Sequence, residues 1–321
     1  MGTSVMSDPL VSICIPCRNA GHYLSQAIDS ILSQTWTNIE IIVVDDGSTD
    51  SSRDVLRSYS QSRLLIIHGC LGSAAKSRNL AYKSAQGDFI KFFDADDILC
   101  SDAITSQMQR LLYRVDAVAS SPWGRFYRDD LNTFKPNPQR VWRDMNALDW
   151  LVESWRDAQP MMQPGMFLIP RPLLEKAGGW DESLTLIDDF EFFARLFCSA
   201  SDILFAQNAT LYYRSGIPGS LSGQKSDKAI LSAYHSLLKG TQYLHQKRPD
   251  PQASLSCANI LQQFVYEVYP DHADLLQVVQ KKIDDLGGSQ LAVPGGPRFQ
   301  HIRRLLGWKI TRRIQKLLSQ T

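Results

Sequence analysis

Four short apolar segments, spaced about 25 to 30 residues apart, constrain the fold of this chain more than any other feature. Each is rich in β-branched or aromatic residues, as are strands buried on both faces of a parallel sheet. Helical patterns lie between them, so the alternation predicts a doubly wound, mostly parallel α/β sheet flanked by helices. The segments are residues 11–15, 39–44, 64–67 and 89–93.

The rest of the chain predicts completion of this sheet, with a helix over residues 188–197, and then a helical extension. Three helical patterns follow an irregular stretch with Gly and Pro, and a second such stretch leads to a final helix. We therefore expect three units. They are a sheet domain over residues 1–223, a helical extension over residues 224–290, and a linker with a basic amphipathic helix over residues 291–321.

Charge and hydropathy exclude several classes of protein. The chain has 34 Lys and Arg against 33 Asp and Glu, a net charge of +1, so overall charge predicts no nucleic-acid partner. No uninterrupted apolar run exceeds four residues, which excludes a transmembrane helix and a secretory signal. We therefore expect a cytoplasmic protein whose charge-based function is local.

Polar residues follow three of the four apolar segments. The first runs into residues 16–19, the second into Asp45 and Asp46, and the fourth into a cluster of three aspartates. Ligands of doubly wound sheets bind in the crevice at the carboxyl ends of the strands. We therefore expect these three polar segments to converge on one site.

The aspartate cluster, Asp94, Asp96 and Asp97, has two interpretations. Three carboxylates this close repel one another, and a divalent cation shared with a substrate phosphate removes that cost. Alternatively the cluster is a solvated turn that caps the next helix, with Asp97 or Ser101 at the N-cap. Neither a GxGxxG fingerprint nor a P-loop is present, so phosphate charge would have to be managed by a cation.

Asp45, Arg18 and Arg78 also have two interpretations each. Asp45 begins an Asp-Asp-Gly-Ser segment, which suits a turn, but a carboxylate at a strand end also accepts hydrogen bonds from a base or ribose. Arg18 and Arg78 are either ordinary surface residues or ligands of a phosphate or base.

Taken in order, these segments resemble the GT-A fold of family 2 glycosyltransferases. The similarity is dense over residues 10–100 and looser as far as the segment that carries Asp188 and Asp189, where the family usually has Glu-Asp. The motifs that carry it are residues 11–16 with Asn19, 33–35, 45–50, 77–79, 87–90, 93–97, 175–182 and 188–192.

The resemblance implies a role for each matching residue on the donor side. Pro16 and Arg18 would line the nucleotide pocket, Asp45 would contact the base, and Arg78 would support the nucleotide or diphosphate. A Mn²⁺ or Mg²⁺ cofactor would be held at the Asp-x-Asp signature. The residues of that signature are Asp94 and Asp96, with Asp96 the preferred metal contact and Asp97 the adjacent candidate.

On the acceptor side, the resemblance makes Asp189 the general base of an inverting enzyme. Asp188 belongs to the same acidic pair, and Trp180 is the aromatic residue nearest to it that could stack on a sugar ring. Arg214 precedes a stretch with Gly and Pro and is a candidate lid residue that reaches the diphosphate when this stretch closes.

The function expected from the resemblance is metal-dependent, inverting transfer of a sugar from a nucleotide-sugar donor, most simply a UDP-sugar. The acceptor partner would be a hydroxyl of a glycan or of a lipid-linked glycan, which suggests polysaccharide or glycolipid biosynthesis. Two alternatives stay open, a nucleotidyltransferase and a non-catalytic module that binds nucleotide sugars. Neither the sugar nor the oligomeric state follows from the sequence.

The C-terminal segment is basic and has no acidic residue after Asp285. Its apolar and basic residues recur at helical spacing, so it either lies on an anionic membrane at the inner face or docks on the protein or a second subunit. The apolar positions are Ile302, Leu305, Leu306, Ile310, Ile314, Leu317 and Leu318, and the basic ones are Arg303, Arg304, Lys309, Arg312, Arg313 and Lys316.

Overall fold

The computed structural model describes residues 8–59, 63–112, 114–217 and 226–319. The strands are β1 Val11–Cys17, β2 Ile39–Asp46, β3 Leu64–Gly69, β4 Phe89–Phe92, β5 Ile98–Leu99, β6 Val118–Ser120, β7 Trp123–Tyr127, β8 Asp130–Pro136, β9 Met145–Asn146, β10 Ile169–Pro170, β11 Asp202–Phe205 and β12 Leu211–Ser215. The α-helices are α1 Leu24–Leu32, α2 Ser52–Ser58, α3 Ala74–Ser84, α4 Ala103–Leu111, α5 Ala147–Trp155, α6 Arg171–Ala177, α7 Asp188–Phe197, α8 Asp227–Lys247, α9 Pro251–Val268, α10 Ala273–Asp285 and α11 Pro297–Ser319.

The central sheet has five strands in the order β10-β4-β1-β2-β3. Strands β4, β1, β2 and β3 run parallel, and β10 pairs antiparallel with β4 at one edge. All four predicted apolar segments are therefore strands of one sheet. Because β1 and β2 lie between other strands and are covered on both faces, their β-branched side chains, such as Ile13 and Val43, are completely buried.

Two smaller sheets, β6-β11-β9 and β5-β12-β7-β8, extend the structure beyond the central sheet. The two-residue strand β5 follows the aspartate cluster directly and pairs with β12, with Leu99 opposite Leu211. This pairing holds the turn that carries the aspartates against β12. The next helix, α4, begins after Asp102, so the interpretation that Asp97 or Ser101 caps it is wrong.

Helix α7 has the predicted bounds, Asp188–Phe197, and divides its side chains between two environments. Its aromatic residues are buried, and Phe192 and Phe193 pack edge to face on each other at 5.0 Å between ring centroids. Its acidic residues occupy the first turn, where the partial positive charge of a helix N-terminus favours carboxylates. The buried aromatic side fixes the position of the acidic end.

The three predicted C-terminal helices are present as α8, α9 and α10, and their buried residues join the hydrophobic core of the sheet domain. The predicted boundary at residue 223 lies outside the described residues, so the division into units stays a prediction. Helix α11 changes direction at Gly307, whose φ of 75° and ψ of 159° are not helical. No helix among the described residues is long and apolar enough to cross a membrane.

Candidate active site

The loops after β1 and β2 are tied together by hydrogen bonds at the carboxyl edge of the sheet. Asn19, with a φ of 52°, accepts from the Thr49 amide at 2.8 Å, and its own amide donates to Ser48 Oγ at 2.9 Å. Pro16 is half-buried and Arg18 is exposed beside this junction. The two residues expected to line a nucleotide pocket therefore lie at the predicted edge, and that role stays a prediction.

Asp45 is completely buried at the end of β2 and is already occupied by protein donors. It accepts from the Ser48 amide at 3.1 Å and from Arg53 Nε at 2.8 Å, and His68 Nδ1 lies 3.1 Å away. Burial alone would raise the pKa of Asp45, but these hydrogen bonds outweigh it and lower the pKa to about 2. A base would therefore meet the partly exposed Arg53 and His68 before it could reach Asp45.

The aspartate cluster at the end of β4 contains one free and two engaged carboxylates. Asp97 accepts from the Arg214 amide at 2.9 Å and from Gln163 Nε2, and Asp94 accepts from Arg78 Nη2 at 2.9 Å and from Gln163 Nε2 at 3.2 Å. Among the described residues, the carboxylate of Asp96 accepts from its own backbone amide and from no other residue. Asp96 is therefore the member left for a ligand.

These surroundings test whether a divalent cation fits. Burial, and then the nearby charge of Asp94, raise the pKa of Asp96 to about 6, and burial with Asp96 and Asp94 raises the pKa of Asp97. A cation would relieve this repulsion. Within the described residues no group of three or more His, Cys, Asp or Glu side chains could hold a metal ion alone. Mg²⁺ and Mn²⁺ do not require such a group, because one carboxylate can bind the ion while phosphates and water complete its coordination.

The two predicted metal contacts, Asp96 and Asp97, differ in the hydrogen bonds that their oxygens already accept. Asp96 fits direct ligation because no other described residue donates to its oxygens. Asp97 differs, because it is 1% exposed and each of its oxygens already accepts a hydrogen bond from the protein. Asp97 anchors the cluster to Gln163 and β12, and its role as a metal contact stays a prediction.

Arg78 connects the two sides of the site. Its Nη2 donates to Asp94 and its Nη1 donates to Asp188 at 3.0 Å, although 110 residues separate Arg78 from Asp188. The guanidinium lies 4.4 Å above the ring of Trp180. Arg78 thereby holds the start of α7 next to the end of β4, which brings the predicted donor and acceptor residues together.

Asp189 lies beside this bridge at the first turn of α7. Its Oδ1 accepts from the Phe190 amide at 2.9 Å, which leaves Oδ2 without a donor among the described residues. Burial, and then the charge of Asp188, raise the pKa of Asp189 to about 7. A carboxyl group with this pKa is suited to accept a proton near neutral pH.

Two predicted contacts are placed differently from expectation. Trp180 is 3% exposed, stacks on Phe192 at 4.0 Å and is covered by Arg78 on its ring, so it offers no open face to a sugar. Arg214 lies within β12 and is buried, with its Nη1 paired with Asp129 and its Nε donating to the Asp96 carbonyl at 2.6 Å. Of the stretch expected to close as a lid, Gly216 is described, with a φ of 83°, and the part from residue 218 onwards lies outside the described residues.

Sequence reasoning missed three residues that organise the site. Gln163 donates to two of the clustered aspartates, and Arg53 holds Asp45. Asn79 fixes the loop before α7, accepting from the Trp180 amide at 2.8 Å and donating to its carbonyl at 2.9 Å. Asn79 belongs to the motif at residues 77–79, so the resemblance to the family could have indicated that it is important. Gln163 belongs to no such motif.

A family model described as glycosyl transferase family 2 matches residues 12–178, just over half of the chain. An uncharacterized glycosyltransferase of Haemophilus influenzae is 30% identical over 237 residues, covering 70% of this chain and 86% of the relative. A shorter match, 42% identical over 108 residues, covers 33% of this chain and 43% of an Escherichia coli protein. That protein is WfgD, a UDP-Glc:alpha-D-GlcNAc-diphosphoundecaprenol beta-1,3-glucosyltransferase.

Among solved structures, the chain is similar to Staphylococcus aureus TarS residues 1–349 in complex with UDP-GlcNAc. The TM-score is 0.61 at 17% identity, and the match covers 86% of this chain and 89% of that chain. At this identity the similarity concerns the fold, and it confirms the GT-A architecture expected from the order of the motifs.

Proposed function

Because the chain belongs to glycosyl transferase family 2, we propose that it transfers a sugar from a UDP-sugar to a hydroxyl of a glycan or lipid-linked glycan, with inversion at the anomeric carbon. The observation that carries the mechanism is the position of Asp189, a carboxylate of raised pKa that Arg78 and Asp188 hold beside the aspartate cluster. The UDP-sugar donor is supported by the TarS complex and by the name of WfgD, and the lipid-linked acceptor by the latter.

In this mechanism Asp96 would hold the cation. There a Mn²⁺ or Mg²⁺ ion would supply positive charge opposite the negative charge that develops on the departing nucleoside diphosphate. Asp94 and Asp97 keep the free carboxylate in place through Gln163, which donates to both. Arg78 neutralises part of the cluster and fixes its position relative to α7.

Asp189 accepts the proton of the acceptor hydroxyl as the oxygen attacks the anomeric carbon. The attack comes from the face opposite the diphosphate, so the bond to the sugar forms with inversion. General base catalysis of this kind contributes about 10² to 10⁴ in rate. The buried surroundings of Asp189 make it more basic than an exposed aspartate, as this role requires.

The test compares Asp189→Asn with wild type and with Asp54→Asn, an exposed control on α2. Release of UDP is measured with a panel of UDP-sugars and Mn²⁺, and donor affinity is measured by calorimetry. We expect Asp189→Asn to lower turnover about 10²- to 10⁴-fold while donor affinity stays within about twofold of wild type. Full turnover in Asp189→Asn would contradict the assignment of the base.

The two alternatives give different products. A nucleotidyltransferase releases pyrophosphate from a nucleoside triphosphate and a sugar phosphate, whereas a transferase releases UDP from a UDP-sugar. A non-catalytic module binds the UDP-sugar and releases nothing, with or without Mn²⁺. Absence of binding to every UDP-sugar in the panel would overturn the proposed donor class.

A further inference from the structure

Within the described residues, helix α11 packs on the protein through the side that carries Trp308. The ring of Trp308 packs 5.1 Å from that of Tyr266 and 5.0 Å from that of Tyr269, measured between centroids. Lys316 forms an ion pair with Asp271, and Thr311 is buried. These contacts orient the helix and leave its other side facing solvent.

The solvent side of α11 carries several large apolar residues that are exposed to water. Leu305 is 78% exposed and Leu317 66%, among the most exposed of the large apolar side chains in the described residues. Contiguous exposed apolar surface on a soluble protein marks an interaction site. The exposed apolar residues of α11, named the α11 stripe, lie on two segments that meet at the Gly307 bend: Ile302, Leu305 and Leu306 before it, and Ile310, Ile314 and Leu317 after it.

Rotation around the helix shows how the faces are arranged. At about 100° per residue, Ile310, Ile314 and Leu317 fall within about 60° of one another. Lys309 and Arg313, both exposed, occupy the neighbouring sector, with the Arg313 guanidinium 5.6 Å from the ring of Tyr269. The docked side with Trp308 lies opposite Ile310, Ile314 and Leu317. Beyond the Gly307 bend the helix therefore has a docked, an apolar and a basic face. The docked face could not be identified from the sequence, because it depends on the contacts of Trp308.

Charge identifies the kind of partner. Residues 286–321 contain seven Lys and Arg and no Asp or Glu, while the whole chain has a net charge of +1. A second copy seated on this stripe would bring like charges together, which is unfavourable at an interface. An anionic bilayer surface complements both the apolar stripe and the basic residues beside it.

We propose that α11 binds the surface of an anionic lipid bilayer, with the α11 stripe in the interface between headgroups and acyl chains and Arg304, Lys309 and Arg313 near lipid phosphates. The segment of α11 beyond Gly307 lies parallel to the membrane, as an amphipathic interfacial helix does. This attachment rests on the surface of α11 and holds whichever sugar or acceptor the enzyme uses.

The test is flotation of the full chain with two kinds of vesicle, pure phosphatidylcholine and phosphatidylcholine with about 30 mol% phosphatidylglycerol. We expect binding to the anionic vesicles that weakens when NaCl is raised from about 0.1 M to about 1 M. The double variant Leu305→Glu with Leu317→Glu should lower the partition coefficient at least about tenfold. The control, Leu231→Glu on α8, alters a residue that is 45% exposed and should leave binding unchanged.

Removal of charge tests the second part of the proposal. Arg304→Gln and Lys309→Gln should each lower binding to anionic vesicles about fivefold, the equivalent of about 1 kcal/mol per residue. Circular dichroism checks that every variant stays folded. The proposal is overturned if the folded wild type fails to bind anionic vesicles, or binds both kinds equally at all salt concentrations. It is also overturned if light scattering shows a dimer that Leu305→Glu with Leu317→Glu dissociates and neither kind of vesicle binds, since a second copy would then cover the stripe.

Discussion

Asp188 and Asp189 are adjacent in the chain and have different surroundings. Asp188 accepts from Arg78 Nη1 at 3.0 Å, whereas Asp189 accepts from the Phe190 amide and has no ion pair among the described residues. Burial is the largest cause of the raised pKa of Asp189, and the charge of Asp188 is the next. Asp188 is therefore a positioning residue that also raises the pKa of Asp189. The protonation of Asp189 should therefore be visible in the kinetics.

We expect the logarithm of kcat/KM to rise by about one unit per pH unit below pH 7 and to level off above it, because the base with a pKa of about 7 works only when deprotonated. In Asp188→Asn, loss of the like charge lowers the pKa of Asp189. The acidic limb should then move to lower pH by up to about one unit. The measurement is UDP release between about pH 5.5 and pH 8.5, with Asp54→Asn as control. A limb that stays in place, or moves to higher pH, would contradict the coupling.

At the scale of elements, the loop between α6 and α7 decides where α7 begins. Asn79 on α3 bonds the backbone of Trp180 in both directions and donates to Glu182 at 2.9 Å. From the other side, Arg195 on α7 donates to the carbonyl of Gly179 at 2.8 Å. A Cβ on Gly179 would come within 2.6 Å of Asn79 Oδ1, so this close approach requires glycine. The loop holds Trp180 beneath Arg78 and so supports the bridge between the two sides of the site.

We expect Asn79→Ala to lower the free energy of unfolding by about 2 to 3 kcal/mol, because it leaves buried backbone groups of Trp180 without partners. Turnover should fall as well, since Arg78 loses its support. Urea unfolding and UDP release measure the two effects. Asn132→Ala, at an exposed position on β8, is the control and should change stability by less than about 0.5 kcal/mol. Equal stability of the two variants would show that the loop does not depend on Asn79.

At the scale of the whole molecule, buried carboxylates with raised and with lowered pKa values change stability with pH in opposite directions. The pKa of Asp96 is raised to about 6, so the folded state binds more protons than the unfolded state and stability grows as pH falls from 7 towards 4. Asp45 and Asp181 have their pKa lowered to about 2, so their contribution is present above pH 4 and is lost between pH 4 and 2. The fold is therefore expected to be most stable near pH 4 to 5 rather than at neutral pH.

Asp96→Asn should raise the free energy of unfolding at pH 7 by on the order of 2 kcal/mol, because it removes a carboxylate whose ionisation the fold disfavours. The gain should vanish near pH 4, and UDP release should be lost. Urea unfolding at a series of pH values tests this. UDP with Mn²⁺ should raise the Tm of wild type and have little effect on that of Asp96→Asn. A destabilised Asp96→Asn at pH 7 would show that the carboxylate has a structural partner instead.

The sequence by itself determined the parallel sheet, the polar ends of its strands, helix α7 and the position of Asp189 in its first turn. These features depend on residue periodicity and on short-range rules at strand ends and helix starts, which act over a few residues. Only the tertiary structure decided which polar groups meet: Arg78 with Asp188, Gln163 with two aspartates, and Arg53 with Asp45. It also turned Trp180 from an expected sugar contact into a buried support. Such pairings depend on how distant elements pack, because a buried polar group must find a donor or acceptor wherever the fold brings one.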